Sequence, residues 1–343
     1  MDEAEVLFSV DGALGVITLN RPKVLNALTR TMVNQMDAQL RRWAGDPAIK
    51  AVVVQANGGR AFCAGGDIRA LYDSGKAGTP LIAFYREEYV LNTLIKRYPK
   101  PYIAMTGGIV MGGGVGVSVH GAVRIAGEGM LFAMPETGIG LFPDVGGTFF
   151  LPRCPGEIGM YLALTGARLN AADALYAGIA THHVPVAAWP ELLAALARDG
   201  GLGVIERFQR DPGPPALASL REHIDAAFSA HSVEEIIARL EAMASPFGAE
   251  TAALLRTKSP TSLKVTFAQI RAGATLAFEE CMKLEFRLTN RFMRGVDFYE
   301  GVRAVIIDKD QKPAWAPPDL GGVSDKDVAD YFAPLAPEDE LVL

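Results

Sequence analysis

Two carboxylates, Glu136 and Asp144, lie among apolar residues and turn-formers in the run Met134-Pro135-Glu136-Thr137-Gly138-Ile139-Gly140-Leu141-Phe142-Pro143-Asp144-Val145-Gly146-Gly147. Upstream, Gly107-Gly108-Ile109-Val110-Met111-Gly112-Gly113-Gly114-Val115-Gly116 carries six glycines, whose backbone N–H groups no side chain screens. Bare amides can receive a developing negative charge, and carboxylates can attack or move protons. Together they are the parts of acyl chemistry, and they point to an enzyme.

The glycine cluster does not fit the dinucleotide pattern G-x-G-x-x-G. Counted from Gly112 or Gly114, the last required glycine is Val117 or Val119, and no Gly-Lys-Ser/Thr follows to make a phosphate loop. A short helix from Gly113 to His120 would set its positive N-terminal end beside an oxyanion. The competing reading is close packing against a neighbouring backbone. A second donor is expected in Arg60-Ala61-Phe62-Cys63-Ala64-Gly65-Gly66-Asp67-Ile68, where the amides of Gly66 and Gly113 would make an oxyanion hole. Asp67 reads as a helix cap and Cys63 as a small buried residue, not a nucleophile.

Gly138, Gly140 and Pro143 exclude a regular helix between Glu136 and Asp144, so their spacing alone does not set their geometry. Their apolar surroundings would raise a carboxyl pKa into a useful range; the alternative is a pair of surface caps. Glu87 and Glu88 fall on an expected helix from Pro80 to Arg97, where pattern alone favours a solvated face. Gly116-Val117-Ser118-Val119-His120 fails as a serine-hydrolase elbow because His120 replaces the last glycine. His182 and His183 read as structural, and no cluster has metal-ligand spacing.

The elements that must position these groups alternate. Val6–Val10 and Gly15–Asn20 flank the turn Asp11-Gly12, Thr29 caps a helix to about Ala44, and Ala51–Gln55, Tyr102–Thr106 and Val123–Ala126 read as strands. This is an α/β class with substantial parallel sheet. Strand signals fade after Ala187. Ser232–Met243 and Thr261–Leu288 read as helices, Asp211-Pro212-Gly213-Pro214-Pro215 as a linker or surface loop, and Ile306–Pro318 as extended. The expected division is a core at residues 1–195, holding the site, and a mostly helical region with an extended tail at 196–343.

With 343 residues, half of them hydrophobic, the chain can bury a large core; its net charge of −6 argues against nucleic acid as a partner. The uncharged run Tyr102–Val119 is long enough for a membrane span, but its glycines favour strand and loop. The acidic start, Met1-Asp2-Glu3-Ala4-Glu5, resembles neither a secretory signal nor a transit peptide. Three scattered cysteines, Cys63, Cys154 and Cys281, fit a reducing cytoplasm.

These segments in this order resemble the crotonase (enoyl-CoA hydratase/isomerase) superfamily. The matching pieces are Asn20-Arg21-Pro22 with Asn26-Ala27-Leu28, Phe62–Asp67, Gly112-Gly113-Gly114, and Pro135-Glu136 followed by Gly146-Gly147-Thr148. A narrower signature, Arg86-Glu87-Glu88-Tyr89 with Met111–Gly121, Phe132–Gly147 and Gly301–Asp310, is similar to the superfamily's acyl-CoA hydrolase branch. The resemblance implies a spiral of ββα turns and hydrolysis of a short branched 3-hydroxyacyl-CoA, such as 3-hydroxyisobutyryl-CoA in valine breakdown. It implies Glu136 and Asp144 as catalytic carboxylates, Gly66 and Gly113 as oxyanion donors, and Glu88 at the acyl group. It further implies no cofactor beyond the coenzyme A of the substrate, and a homo-oligomer, a trimer or hexamer. Hydratases of the superfamily carry a second glutamate where this chain has Gly116. The alternatives are a hydratase or dienoyl-CoA isomerase acting on acyl-CoA, and a non-catalytic scaffold or RNA-binding relative, against which the acidic charge and the carboxylate pair count.

Overall fold

The computed structural model describes residues 4–199 and 201–343. Met1, Asp2 and Glu3 of the acidic opening lie outside the described residues. The strands in chain order are β1 (Val6–Asp11), β2 (Leu14–Leu19), β3 (Ala51–Ala56), β4 (Ala61–Cys63), β5 (Tyr102–Thr106), β6 (Ile109–Met111), β7 (Val123–Ala126), β8 (Leu131–Ala133) and β9 (His182–His183). They form two sheets, one ordered β1-β2-β3-β5-β7-β9 and a smaller one ordered β4-β6-β8. β1 and β2 are the antiparallel hairpin expected around Asp11-Gly12, and all other pairings are parallel. From β3 to β8 successive strands alternate between the sheets. That alternation is the spiral of ββα turns, and it makes the α/β class a finding.

Two compact units interleave along the chain where the sequence reading divides it at 195/196. One takes in residues 4–66, Val90–Ala133 and Arg168–Ala218; the other takes in Asp67–Tyr89, Met134–Ala167 and Ser219–Leu343. Both sheets belong to the first unit. Its helix α1 (Arg30–Gly45) starts at Thr29, whose side chain accepts from the Met32 amide at 3.2 Å. Met32, Val33, Met36, Leu40 and Trp43, the face expected from their spacing, are buried. On the large sheet, Leu14, Val53, Ile103, Met105, Ile125 and Val184 cluster with Leu192 and Leu196 of the helix Trp189–Asp199. Each fully buried aliphatic side chain of this kind contributes about 1.5–3 kcal/mol.

The second unit is mostly helical. Here the expected helix Thr261–Leu288 is two helices, Pro260–Gly273 and Phe278–Phe292. A side chain at Gly273 would come within 1.9 Å of the Thr148 carbonyl oxygen, and the break lets Phe278 pack edge-on to Phe149 at 5.3 Å. The stretch expected to be extended from Ile306 instead begins inside a π-helical turn, Arg303–Ile307. Arg303 pairs there with Glu300, Asp308 and Asp310 at 2.7–2.8 Å. No helix among the described residues is long and apolar enough to cross a membrane.

Two helices follow small-sheet strands closely, α2 (Ile68–Lys76) after β4 and the single turn α4 (Gly113–Gly116) after β6, while α3 (Ile82–Lys96) leads from α2 to β5. The sequence led us to expect α4 to reach His120. It ends at Gly116, and beyond it Ser118 Oγ donates back to the Gly114 carbonyl at 2.7 Å while Tyr102 OH donates to Val117 at 3.0 Å. Gly114 is also where two backbones meet, since a Cβ there would lie 2.3 Å from the Cys63 carbonyl oxygen. Gly114→Ala is therefore expected to overpack the turn at a cost of about 1–3 kcal/mol and to lower the melting temperature. Gly45→Ala, with nothing within 4 Å of the added carbon, is the control and should not. Equal melting temperatures for the two variants would refute this account of the turn.

Candidate active site

Two groups of residues have the means for chemistry, one in each unit. In the first unit, β4 and β6 run parallel, with Cys63 beside Val110, so their C-terminal ends emerge together. Each leads into a turn in which a glycine of positive φ, Gly65 at +119° or Gly112 at +47°, immediately precedes the expected donor, Gly66 or Gly113. Such conformations are open to glycine and strained for other residues. The turns are close: a Cβ on Gly65 would lie 3.6 Å from the Met111 carbonyl oxygen and 3.9 Å from the Gly113 nitrogen. Among the described residues neither the Gly66 nor the Gly113 amide donates a hydrogen bond. For Gly113 this follows from its place as the first residue of α4.

The segment Asn20–Leu28 holds the first turn. The Asn26 side chain accepts from the Arg21 amide at 2.8 Å and donates to the carbonyls of Asn57 and Ala61, both at 2.9 Å. Leu28 N–H then donates to Gly65 at 2.8 Å and Ala64 N–H to Leu25 at 3.0 Å. Cys63 is buried with its sulfur beside Gly65, a packing role.

In the second unit Glu136 and Asp144 are buried, 4% and 5% exposed, which excludes the surface-cap reading. Glu136 opens a 3₁₀ turn to Ile139, and its Oε2 has no hydrogen-bond partner. That turn is clamped: side chains at Gly140 and Gly301 would meet the Asp297 carbonyl at 2.2 Å and Ile139 backbone at 2.4 Å. Asp144 Oδ2 accepts from Tyr89 OH at 2.9 Å, and the same phenol oxygen is 2.8 Å from Thr289 Oγ1. Beyond Asp144 the chain passes through Val145 at φ +50°, an outlier for a β-branched residue. Bonds on both sides hold it there. Glu285 accepts from the Gly146 and Thr148 amides at 2.8 and 2.9 Å, and Gln269 donates to the Pro143 carbonyl at 2.7 Å.

Glu88 is 2% exposed rather than on a solvated helix face, and its Oε1 lacks a partner. Glu88, Glu136, Asp144 and Glu285 thus form a cluster of buried carboxyl groups. Burial pushes Glu136 and Glu88 well above the usual carboxylate range, and the charge of Asp144 adds to it in both. Burial also lifts Asp144 to about 7 against the pull of the Tyr89 bond, and Glu285 to about 8 against the pull of its two amides. Like charges so placed cannot all ionise at once, and Asp144, lifted to near neutrality, suits proton transfer.

Of the expected residues, the structure brings Glu88, Glu136 and Asp144 together in one unit and Gly66 with Gly113 in the other. Sequence reasoning missed Tyr85, Tyr89, Glu285 and Thr289. For the first two a signal existed, because Tyr85, Glu88 and Tyr89 share one face of α3 at spacings of three and four. Asp67 caps α2 by accepting from Ala70. His182 contacts Thr181 at 2.7 Å and His183 the Arg210 carbonyl at 3.1 Å, as structural histidines do. No His/Cys/Asp/Glu group among the described residues could hold a metal ion.

Glu285→Gln puts an NH₂ against one of two buried amide donors, which should cost about 1–3 kcal/mol in urea denaturation; an unchanged midpoint would remove its role in holding the Asp144 loop. A second expectation concerns pH. Asp144 rises from 3.8 to about 7 on folding, so between those values the folded chain holds a proton that the unfolded chain has released. Stability therefore falls as pH rises through that window, by at most about 1.4 kcal/mol per pH unit. Asp144→Asn should flatten the slope measured by denaturation at pH 4 to 7, and a slope identical to the parent's would count against the shift.

The chain matches the family model described as enoyl-CoA hydratase/isomerase over residues 14–332. It is 48% identical to the 3-hydroxyisobutyryl-CoA hydrolase, mitochondrial, of Rattus norvegicus, covering 98% of this chain and 91% of that protein. With the human protein of the same description it is 47% identical, covering 98% and 90%. Among solved structures, one described as a carnitinyl-CoA dehydratase from Mycobacterium thermoresistibile superposes with a TM-score of 0.95 at 42% identity, covering 99% of both chains. One described as an enoyl-CoA hydratase from Rhodobacter sphaeroides gives 0.93 at 44%, covering 99% and 100%. By model match and by near-full-length identity, the chain belongs to the enoyl-CoA hydratase/isomerase family.

Proposed function

We propose that the chain hydrolyses 3-hydroxyisobutyryl-CoA to 3-hydroxyisobutyrate and CoA, a step of valine breakdown. The observation that carries the reading is Glu136, buried with one carboxylate oxygen unpartnered, in a chain nearly half identical to relatives described as hydrolases of that thioester. In this reaction the amides of Gly66 and Gly113 serve as the oxyanion hole; losing one such donor costs about 2.7–4 kcal/mol of transition-state stabilisation. Glu136 attacks the carbonyl carbon to form a mixed anhydride and expel the CoA thiolate, and water then cleaves the anhydride to free the acid and the carboxylate. In the other route Glu136 draws a proton from a water that attacks the carbonyl carbon directly. Asp144 orients the acyl hydroxyl or passes the proton on, and Glu88 borders the acyl group. No cofactor enters beyond the CoA of the substrate. A homo-oligomer, trimer or hexamer, and a cytoplasmic setting belong to the same proposal, although the relatives reported above are described as mitochondrial.

The second reading is a hydratase or dienoyl-CoA isomerase. The descriptions of the two solved structures and the Glu136–Asp144 pair favour it. Against it stands Gly116, a buried glycine on α4 where the two-glutamate scheme needs a proton carrier.

A thiol-release assay separates them, run on 3-hydroxyisobutyryl-, 3-hydroxypropionyl-, crotonyl- and dienoyl-CoA. Hydrolysis liberates CoA from the hydroxyacyl esters, and Glu136→Gln should slow it at least about a hundredfold while CoA binding persists. An ultraviolet change without thiol would instead establish the second reading, a hydratase if it occurs with crotonyl-CoA and an isomerase if it occurs with dienoyl-CoA alone.

A further inference from the structure

Tyr85 is 3% exposed, and its hydroxyl has no hydrogen-bond partner. A buried phenol normally finds one, so an orphaned O–H calls for an explanation. Its surroundings narrow the answer. Its ring meets Tyr89 edge-on at 6.2 Å and Phe84 at 5.5 Å, which fixes it on the face of α3 that carries Glu88. Tyr89, one turn further, has its hydroxyl on Asp144 and beside Thr289. Tyr85 OH and Glu88 Oε1, three residues apart on α3, are therefore both unpartnered.

The charges facing Tyr85 are Asp144, Glu88 and Glu136, with the Tyr299 phenol beside them; burial and these groups hold its proton firmly on. An anion brought to this place would be repelled by the carboxylates. A neutral group that both donates and accepts would satisfy the phenol O–H and the carboxyl together, and an alcohol is such a group.

We propose that Tyr85 is a specificity-determining residue whose phenol donates to the hydroxyl of the bound acyl group, beside Glu88, and so selects hydroxyacyl thioesters over unsubstituted ones. This rests on the hydrolase reading and deepens it by naming the group that recognises the substituent. Sites built to bond a substrate hydroxyl discriminate strongly against analogues lacking it, because their own polar groups are then left unpaired.

The test is Tyr85→Phe, compared with the parent in thiol release from 3-hydroxyisobutyryl-CoA and isobutyryl-CoA. The expected result is a fall of roughly tenfold in kcat/KM for the hydroxylated ester, with less than a twofold change for the plain one. A parallel fall for both esters, the mark of a structural role, or no change in either, would overturn the proposal. A second arm does not depend on turnover: calorimetric binding of both esters to Glu136→Gln and to Glu136→Gln/Tyr85→Phe. Preference for the hydroxylated ester that disappears with the phenol supports the proposal; equal preference in the two proteins overturns it. If the parent releases no CoA from either ester, the hydrolase reading fails by itself and the binding arm still decides the role of Tyr85.

Discussion

Keeping four carboxyl groups out of water within one unit is the constraint that the second unit is arranged around. A buried ion costs several kcal/mol even after relaxation, and like charges add to that. The chain answers it unequally. Glu285 receives two amide donors and Asp144 a phenol, whereas Glu88 and Glu136 each keep an oxygen without a partner. Val145, at φ +50°, adds backbone strain of about 1–3 kcal/mol immediately after Asp144. Strain of that size persists only where the surroundings over-determine it. Here Gln269 grips the chain before it and Glu285 the chain after it. The groups held rigid and the groups left unsatisfied are neighbours, as expected where a ligand supplies the missing bonds.

The first unit reaches a comparable state by subtraction. Nothing charged is needed to present the Gly66 and Gly113 amides. Two parallel strands end side by side, and a positive-φ glycine turns each chain so that the next N–H has no acceptor among the described residues. The short motifs on which the family resemblance rests then acquire separate mechanical roles. Asn26 ties one turn to the strand region at Asn57 and Ala61. In the second unit Gly301 lets its helix press against the turn that carries Glu136. Arg86 donates to the carbonyls of Asp339 and Glu340, both at 2.7 Å, which ties α3 to the end of the chain.

What could be read from sequence was what depends on neighbours in sequence. Tyr102–Thr106 and Val123–Ala126 were legible because short apolar runs bounded by turn residues make buried strands, and Thr29 because a cap acts within three residues. Glu136, Asp144 and the donor glycines could be nominated by composition and by resemblance. Their partners could not. Glu285 lies 139 residues from Gly146, and Thr289 lies 200 from Tyr89. Glu88 has the local pattern of a solvated helical carboxylate, and only tertiary packing reverses it. The close fit of Gly273 was hidden for the same reason, since the Thr148 carbonyl it meets is far along the chain.

On the proposed reading, the carboxyl cluster also bears on which reaction the chain favours. Hydration or isomerisation leaves the acyl group neutral, whereas hydrolysis converts a neutral thioester into a carboxylate. The raised pKa values show that added negative charge is disfavoured around Asp144 and Glu136. A neutral hydroxyacyl group can be held there through hydrogen bonds, but once its carbonyl carbon becomes a carboxylate the same groups repel it. Discrimination between substrate and product then follows from charge alone, without a moving part, and it hastens release of the new anion that only hydrolysis makes. Gly116 points the same way: with no side chain on α4 to carry a second proton, the acid–base work falls to the carboxyl groups that already crowd one another in the second unit.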